Sequence, residues 1–145
     1  MIRAARSEEE EALFGKIVED RVKHSPFYAL IGMEVAGLAR GEARIRVDAG
    51  PRHCDESGYV HPGVVFSLAD AASGVAMATC IPRGSRRVVT VEMKANFIAP
   101  AGRGELTAVG KVLQTDGDIA VSEAQVRDEA GDLVATSMAT FMVLR

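Results

Sequence analysis

The stretch HPGVVFSLADAASGVAMATCIP, residues 61–82, decides the fold of this chain. From Ser57 to Pro82 the only Asp, Glu, Lys or Arg is Asp70. A membrane-spanning helix would hold this carboxylate near the bilayer centre at a cost of about 2.5–3.5 kcal/mol, and the neighbouring segments have the alternation of amphipathic strands. We therefore predict a buried core helix that begins at Pro62 and ends before Pro82.

Small side chains recur along this predicted helix and indicate what it packs against. They are Ala69, Ala71, Ala72, Gly74, Ala76 and Ala78. A helix with so little side-chain bulk can lie very close to the backbone of a sheet. The sequence therefore predicts an α+β protein in which a curved antiparallel sheet wraps around one long central helix.

Residues 7–24, upstream of the central stretch, have the pattern of an amphipathic helix. Ser7 and Glu10 have the spacing of a capping box, and apolar residues recur at helical intervals. Those apolar residues are Leu13, Phe14, Ile17, Val18 and Val22. We expect Ser25-Pro26 to end this N-terminal helix, because the residue before a proline disfavours helical geometry.

The remaining segments alternate between apolar and polar residues, as half-buried strands do. The predicted strands are 42–48, 88–98, 105–114, 119–128 and 133–143. In the second of them, alternation places five apolar side chains on one face, namely Val89, Val91, Met93, Ala95 and Phe97. Residues 115–118, with the sequence TDGD, form a predicted hairpin turn between two of these strands.

Composition limits the classes of function. The 145 residues are enough for one domain, predicted to span 1–145. A net charge of −3 and the absence of Trp argue against nucleic-acid binding, which needs clustered cations or stacking aromatic rings. Two cysteines make no disulfide framework, and the N-terminal residues show no secretory signal. We therefore expect a cytoplasmic protein with no membrane partner.

Asp70 is the candidate functional residue on physical grounds alone. A carboxylate in the middle of an apolar helix is costly unless it is paired, hydrogen-bonded or in a cleft. It either accepts hydrogen bonds at a subunit contact or serves as a catalytic acid or base, and the residues leave both readings open. Gly63 at the helix start shares its face but lies seven residues, about 10.5 Å, away. The helix start and Asp70 of one chain are therefore too far apart to act on the same carbonyl group. The geometry favours a site that is shared across a dimer.

The sequence HPG at 61–63, followed by SLAD at 67–70, resembles the HGG…SLAD motif of PaaI-type hotdog-fold acyl-CoA thioesterases. The resemblance covers about residues 27–143 and includes the segment 89–93 and Phe97. It implies a long helix gripped by an antiparallel sheet. It also implies dimers or dimers of dimers, with active sites that lie across the subunit interface.

The resemblance implies roles for four side chains. Asp70 matches the catalytic carboxylate, which acts as general base for water or as nucleophile. His61 matches the motif histidine near the thioester, and Thr90 falls where relatives place a hydroxyl that helps to hold the water. Asp55 stands where many relatives have Asn, and a second carboxylate close to Asp70 would raise the pKa of one of the two.

Pro62 departs from the family pattern. The family has a glycine there, whose N–H donates to the oxyanion, and proline has no N–H. Loss of one such donor typically costs about 10²–10³ in rate. A slight shift of the helix start would let the N–H of Gly63 replace it. Otherwise the chain is a slow thioesterase, or a module that has lost catalysis.

Six residues are candidates for substrate binding: Pro62, Ser67, Met77, Arg83, Arg86 and Arg87. Pro62 and Ser67 belong to the motif at the start of the helix. Met77 lies on the Asp70 face, where it would either line an acyl pocket or simply fill the core. The three arginines follow the helix and would either meet the phosphates of coenzyme A (CoA) or belong to a solvated loop.

The predicted function is hydrolysis of an acyl-CoA thioester to a free acid and CoA, and the alternative is a hotdog module that binds acyl-CoA without turnover. A hotdog hydratase is disfavoured, because it needs an Asp and a His close together and His61 and Asp70 are nine positions apart. No metal is expected, because His53, Cys54, Asp55 and His61 lack zinc-ligand spacing. We expect no cofactor beyond the CoA moiety of the substrate. The expected protein partner is a second copy of the chain, in a homodimer or homotetramer.

Overall fold

A computed structural model describes residues 6–81 and 87–145 of the chain. Its elements are α1 (Glu8–Ile17), α2 (Pro26–Ile31), β1 (Glu34–Ala39), β2 (Glu42–Ala49), α3 (Pro62–Ala78), β3 (Arg87–Phe97), β4 (Gly104–Asp116), β5 (Ile119–Arg127) and β6 (Leu133–Leu144). The strands form one antiparallel sheet in the order β1-β2-β4-β5-β6-β3, and α3 packs across it. The predicted α+β architecture, a sheet around a long central helix, is confirmed.

The central helix α3 begins at Pro62 and ends at Ala78, within the predicted limits. Proline suits the first helical position, because the N–H that it lacks would have no partner there. His61 caps this end, since its Nδ1 accepts the N–H of Gly63 at 2.8 Å. At the other end, the N–H of Gly41 donates to Thr79 Oγ1 at 2.7 Å, which ties the helix to the β1–β2 turn.

A row of small residues crosses the sheet beneath α3. In register on five neighbouring strands, the row consists of Ala43 in β2, Gly110 in β4, Ala124 in β5, Ser137 in β6 and Ala95 in β3. The helix comes closest at Gly110, where an added Cβ would lie 2.4 Å from the backbone carbonyl carbon of Ala72. Only glycine leaves room for the helix backbone at this position. The small residues of α3 predicted a close approach to the sheet, and the small residues of the sheet allow it.

The N-terminal segment contains two elements that the residue pattern does not predict. Predicted helix 7–24 corresponds to α1 and a π-helical turn, Val18–Lys23. The short helix α2 then begins at Pro26, with the N–H of Tyr28 donating to Ser25 Oγ at 3.5 Å, so Ser25-Pro26 both ends one helix and begins the next. Strand β1 was missed because it is an edge strand with a bulge, and its EVAGLA sequence does not alternate.

A β-bulge in β3 changes which residues face the helix. Alternation predicted Val89 and Val91 on the same face as the other apolar residues of this strand. The register shifts between Thr90 and Glu92, so Val91 is an extra residue without a cross-strand partner. Thr90 therefore lies opposite the buried Phe141, on the face toward α3. The predicted placement of Val89 and Val91 is wrong, because the bulge resets the alternation.

We expect Gly110→Ala to destabilise the fold, because the new Cβ would overlap the backbone of α3 at Ala72. Overpacking that forces two backbones apart should lower the free energy of unfolding by about 3 kcal/mol, measured by urea denaturation. Gly102→Ala is the matched control, because its added Cβ would meet no atom within 4 Å and its φ is not positive. The control should change stability by less than about 0.5 kcal/mol. Equal stabilities for the two variants would contradict the close approach.

Candidate active site

Asp70 lies in the middle of α3, on the side of the helix that faces β3. Its carboxylate is half-buried, and the hydroxyl of Thr90 donates a hydrogen bond to Oδ1 at 3.0 Å. Burial raises the pKa of Asp70, and the hydrogen bond from Thr90 lowers it in part. The other carboxylate oxygen, Oδ2, has no hydrogen-bond partner among the described residues. The structure thus brings together Asp70 and Thr90, and leaves one carboxylate oxygen free to meet a ligand.

A cavity of about 360 Å³ opens beside Asp70 and Thr90. Its apolar wall comes from α3, β3 and β6, and consists of Ala71, Gly74, Val75, Val88 and Phe141. Its polar wall comes from the N-terminal segment, and consists of Asp20, Arg21, Ser25 and Tyr28. Cavities of this size, with apolar walls and a few polar groups, are typical of small-molecule sites.

The contribution of the N-terminal segment to this cavity is not predicted by the residue pattern. Arg21 lies within predicted helix 7–24, where charged residues are expected to face solvent. Tyr28 follows Ser25-Pro26, where the predicted helix ended. The π-helical turn changes the helical phase that a 3.6-residue period predicts, and so places Arg21 on the cavity wall. No residue pattern in the sequence announces that turn.

Tyr28 lies within electrostatic reach of Arg21 and of Asp70. Burial and the charge of Asp70 raise the pKa of Tyr28, Arg21 lowers it, and the net result is a pKa of about 12. Burial lowers the pKa of Arg21, while Tyr28 raises it, Arg87 lowers it and Asp20 raises it. Tyr28 therefore stays protonated at neutral pH and lines the same cavity as Asp70 and Arg21.

The His61 imidazole caps the helix start in a way that determines which ring nitrogen carries the proton. Its Nδ1 accepts the N–H of Gly63 at 2.8 Å, so in the neutral ring the proton is on Nε2. The N–H of Val64 donates to the backbone oxygen of His61 at 2.9 Å, and Pro62 has no N–H. The first three positions of α3 therefore have no unengaged backbone donor. The exposed Nε2–H of His61 is the donor that remains there.

Asp55 is engaged in the loop that precedes α3. Its Oδ1 accepts the N–H of Ser57 at 2.9 Å and that of Tyr59 at 3.2 Å. Its charge is not among the causes of the pKa shift of Asp70, and it does not line the cavity beside Asp70. The carboxylate pair that the resemblance suggested is therefore not formed within one copy of the chain.

His53 holds the same loop against the N-terminal segment. Its Nε2–H donates to the backbone oxygen of Ile31 at 2.6 Å, and its Nδ1 accepts the N–H of Gly50 at 2.9 Å. The N–H of His61 in turn donates to the backbone oxygen of His53 at 2.8 Å. Both ring nitrogens are engaged, so this buried histidine positions the start of α3.

The remaining candidates for substrate binding are dispersed. Pro62 is exposed at the helix start, and the hydroxyl of Ser67 donates to the backbone oxygen of Gly63 at 2.8 Å. Met77 is buried with Phe141 in a separate apolar cluster, so it supports the cavity wall and does not line it. Arg87 is exposed at the start of β3. The predicted contacts of Arg83 and Arg86 lie outside the described residues.

Within residues 6–81 and 87–145, no three His, Cys, Asp or Glu residues form a group that could hold a metal ion. No helix in the same ranges is both long and apolar enough to cross a membrane.

A second cavity, of about 540 Å³, lies away from Asp70 and is lined mainly by charged residues. Three of those charges pair with each other, because Arg46 is 3.1 Å from Glu34 and 3.6 Å from Glu105. Although this cavity is larger, it lacks the apolar wall and the half-buried carboxylate, so we assign the candidate active site to the cavity beside Asp70.

The fold and this site define a hotdog thioesterase. The family model described as the thioesterase superfamily matches residues 57–135, more than half of the chain, and the chain therefore belongs to that superfamily. A conserved protein from Pseudomonas aeruginosa has a similar structure, with a TM-score of 0.80 and 30% identity over 86% of this chain and 98% of that one. A variant of the phenylacetic acid degradation protein PaaI from Thermus thermophilus is also similar, with a TM-score of 0.75 and 29% identity over 83% of this chain and 100% of that one.

Similarity at the sequence level extends to a named enzyme. The medium/long-chain acyl-CoA thioesterase of Escherichia coli is 26% identical over 137 residues, which cover 84% of this chain and 88% of that protein. Together with the family match and the PaaI structure, this similarity confirms the predicted PaaI-type hotdog class.

We expect Asp70→Asn to make the protein more stable at neutral pH than the wild type. Because burial raises the pKa of Asp70, the folded state binds its proton more tightly than the unfolded state. Wild-type stability should therefore fall as pH rises from about 3.9, the ordinary aspartate value, through the raised pKa. The neutral amide removes this loss, so the two proteins should be equally stable near pH 3.5 and diverge above it. Urea denaturation across this pH range measures the difference, and a pH-independent difference would contradict the assignment.

Proposed function

We propose that this chain hydrolyses an acyl-CoA thioester to a free acid and CoA. The observation that carries the proposal is the half-buried carboxylate of Asp70, hydrogen-bonded by Thr90 and facing a ligand-sized cavity. Membership of the thioesterase superfamily supports thioester chemistry, and the acyl-CoA thioesterase activity named for the Escherichia coli relative supports CoA as the thiol.

Asp70 serves as the general base for water in this proposal. The Thr90 hydrogen bond to Oδ1 leaves Oδ2 to accept a proton from the attacking water. The water oxygen bonds to the thioester carbon, and the carbonyl oxygen becomes an oxyanion. When the oxyanion collapses, the C–S bond breaks, and the departing sulfur takes the proton from Asp70. The products are the free acid and the CoA thiol.

His61 supplies the oxyanion donor. The resemblance implies a backbone N–H donor at the position of Pro62, which has none, and the N–H of Gly63 is engaged with the imidazole of His61. The Nε2–H of the same imidazole points away from that bond and is exposed, so it can donate to the developing oxyanion. A side-chain donor thereby replaces a backbone donor.

Two copies of the chain complete each site. His61 and Asp70 are nine positions apart on one rigid helix, and His61 does not line the cavity beside Asp70. Strand β3 is at the edge of the sheet, and its apolar residues Val91 and Phe97 are 55% and 50% exposed. A long apolar edge needs cover. A second copy paired along β3 would provide it, and two-fold symmetry would then bring the start of one α3 beside the middle of the other.

Binding of acyl-CoA without turnover is the second candidate function. The observation that favours it is the helix start, where Pro62 has no N–H and the N–H groups of Gly63 and Val64 are engaged. In that case acyl-CoA would raise the melting temperature of the protein, but no free thiol would appear.

We expect Asp70→Asn to lower hydrolysis of acyl-CoA substrates by at least about 10²-fold, the usual contribution of a general base. A panel of acyl-CoA thioesters with detection of free thiol measures the rate. Asp116→Asn, which changes an exposed carboxylate at the end of β4, is the control and should keep the wild-type rate. Equal rates for wild type and Asp70→Asn on every substrate would contradict hydrolysis by this site.

The same variant tests whether the site is shared. Chains carrying Asp70→Asn and chains carrying His61→Asn are each expected to be slow. In a mixed dimer, one of the two sites combines an intact Asp70 with an intact His61. Unfolding and refolding an equal mixture should therefore restore about a quarter of the wild-type rate. No recovery above the separate variants would place both residues in the site of a single chain.

We expect His61→Asn to lower kcat by about 10²-fold, because it removes the Nε2–H donor. Asparagine is a good helix cap and can still accept the N–H of Gly63, so the melting temperature should change little. Pro62→Gly in the His61→Asn background restores a backbone N–H and should recover at least about tenfold. An unchanged kcat in His61→Asn would contradict its role as the donor.

A further inference from the structure

The cavity beside Asp70 extends along α3 toward a cationic end. Gly74 is one helical turn beyond Asp70, about 6 Å along the axis. Val88 precedes Thr90 by two residues in β3, and lines the same end of the cavity. The cavity therefore runs from the Asp70–Thr90 pair toward Gly74 and Val88, and Arg87 is the next residue of β3.

Arg21 and Tyr28 both line this cavity. The positive charge of Arg87, at the start of β3, lowers the pKa of Arg21, so the two guanidinium groups lie within electrostatic reach of each other. The charges of Asp70 and Arg21 both act on the phenol of Tyr28. The polar wall thus includes the protonated phenol of Tyr28 and the guanidinium of Arg21.

Arg21 lacks an ionic partner in the part of the chain that the structure describes. Its guanidinium is half-buried and makes no hydrogen bond or salt bridge within residues 6–81 and 87–145. The nearby Arg87 also has no salt bridge within those ranges. A partly desolvated guanidinium that is also repelled by a second cation is costly, and an anion bound to Arg21 in the cavity would remove that cost. Asp20 is the acidic residue of the polar wall. Its single negative charge does not balance the two positive charges of Arg21 and Arg87.

We propose that the acyl group bound in this cavity ends in a carboxylate, which Arg21 binds. The preferred substrate is then the CoA monothioester of a dicarboxylic acid, an ω-carboxyacyl-CoA, and the inference rests on the proposed thioesterase activity. The apolar wall of Val75, Val88 and Phe141 contacts the intervening methylene groups. The phosphates of CoA are an alternative source of anion, but a whole pantetheine arm separates them from the thioester. The far end of the cavity is only about one helical turn from Asp70.

The test compares glutaryl-CoA, 6-hydroxyhexanoyl-CoA and hexanoyl-CoA, with acetyl-CoA as the substrate that is too short to reach Arg21. We expect kcat/KM for glutaryl-CoA to exceed that for hexanoyl-CoA by at least about tenfold. A charge-assisted hydrogen bond in a partly desolvated site contributes enough free energy for a difference of this size. Arg21→Gln should remove this preference and leave acetyl-CoA hydrolysis within about threefold of wild type. Arg44→Gln, at an exposed arginine of β2, is the matched control and should keep the preference.

A second variant tests whether the acyl group occupies this cavity. Gly74→Ala adds one methyl group to the wall, 3.7 Å from the ring of Phe141, an ordinary van der Waals contact. Alanine favours a helix more than glycine does, so the melting temperature should stay equal or rise. We expect kcat/KM to fall at least about fivefold for glutaryl-CoA and hexanoyl-CoA, and to change less for acetyl-CoA.

The outcomes separate the two proposals. If thiol is released but hexanoyl-CoA is hydrolysed as well as glutaryl-CoA, the carboxylate inference fails and the thioesterase proposal stands. If Arg21→Gln slows acetyl-CoA as much as glutaryl-CoA, Arg21 binds the CoA moiety and the inference also fails. If no thioester is hydrolysed, the proposed function fails. The carboxylate preference is then decided by the melting-temperature shift that glutaryl-CoA and hexanoyl-CoA produce in wild type and in Arg21→Gln.

Discussion

The contact between the backbone of α3 and the backbone of β4 is the constraint on which the rest of this structure depends. At Gly110 the sheet has no side chain, and the peptide of Ala72 occupies the space that a Cβ would need. The row of small residues on the neighbouring strands extends this contact into a shallow trough across the sheet. A helix held this closely has a fixed rotation and position, because interiors are packed to crystal density and cannot absorb a shift. Every side chain on α3 is therefore directed by that trough.

The fixed helix explains why His61 and Asp70 do not meet within one chain. Asp70 faces β3, where the bulge at Val91 brings Thr90 around to meet it. The same rigidity keeps His61, at the start of the helix, away from that pair. Burial of Asp70 raises its pKa, which destabilises the folded chain at neutral pH and poises the carboxylate to accept a proton. The proposed pairing of two copies would bring these groups together, and the exposed apolar residues of β3 give that pairing a physical basis.

The N-terminal segment adds a part of the site that the matched family region does not contain. The family match covers residues 57–135, whereas Arg21 and Tyr28 lie in the preceding helical segment. Asp70 and Thr90 thus come from the family region, and the polar wall of the cavity comes from outside it. Under the proposed function, the segment packed over the cavity would determine which acyl group fits, while the central helix and sheet supply the shared framework. Function of this kind depends on the site and not on the fold alone.

Much of this protein could be predicted from the sequence, because its apolar periodicity and its small residues report directly on local structure. The uncharged stretch around Asp70 predicted the central helix and its limits, and the motif with its downstream threonine predicted the Asp70–Thr90 pair. Tertiary structure alone decided the π-helical turn, the bulge in β3 and the engagement of the Gly63 N–H by His61. The turn and the bulge are local departures from a regular period, and contacts with residues distant in the sequence stabilise them. The cap at His61 depends on a side-chain geometry that the residue type does not specify. Those departures place Arg21 and Thr90 on the cavity and leave the Nε2–H of His61 as the unengaged donor at the helix start. The candidate site therefore depends on irregular positions that a periodic pattern cannot predict.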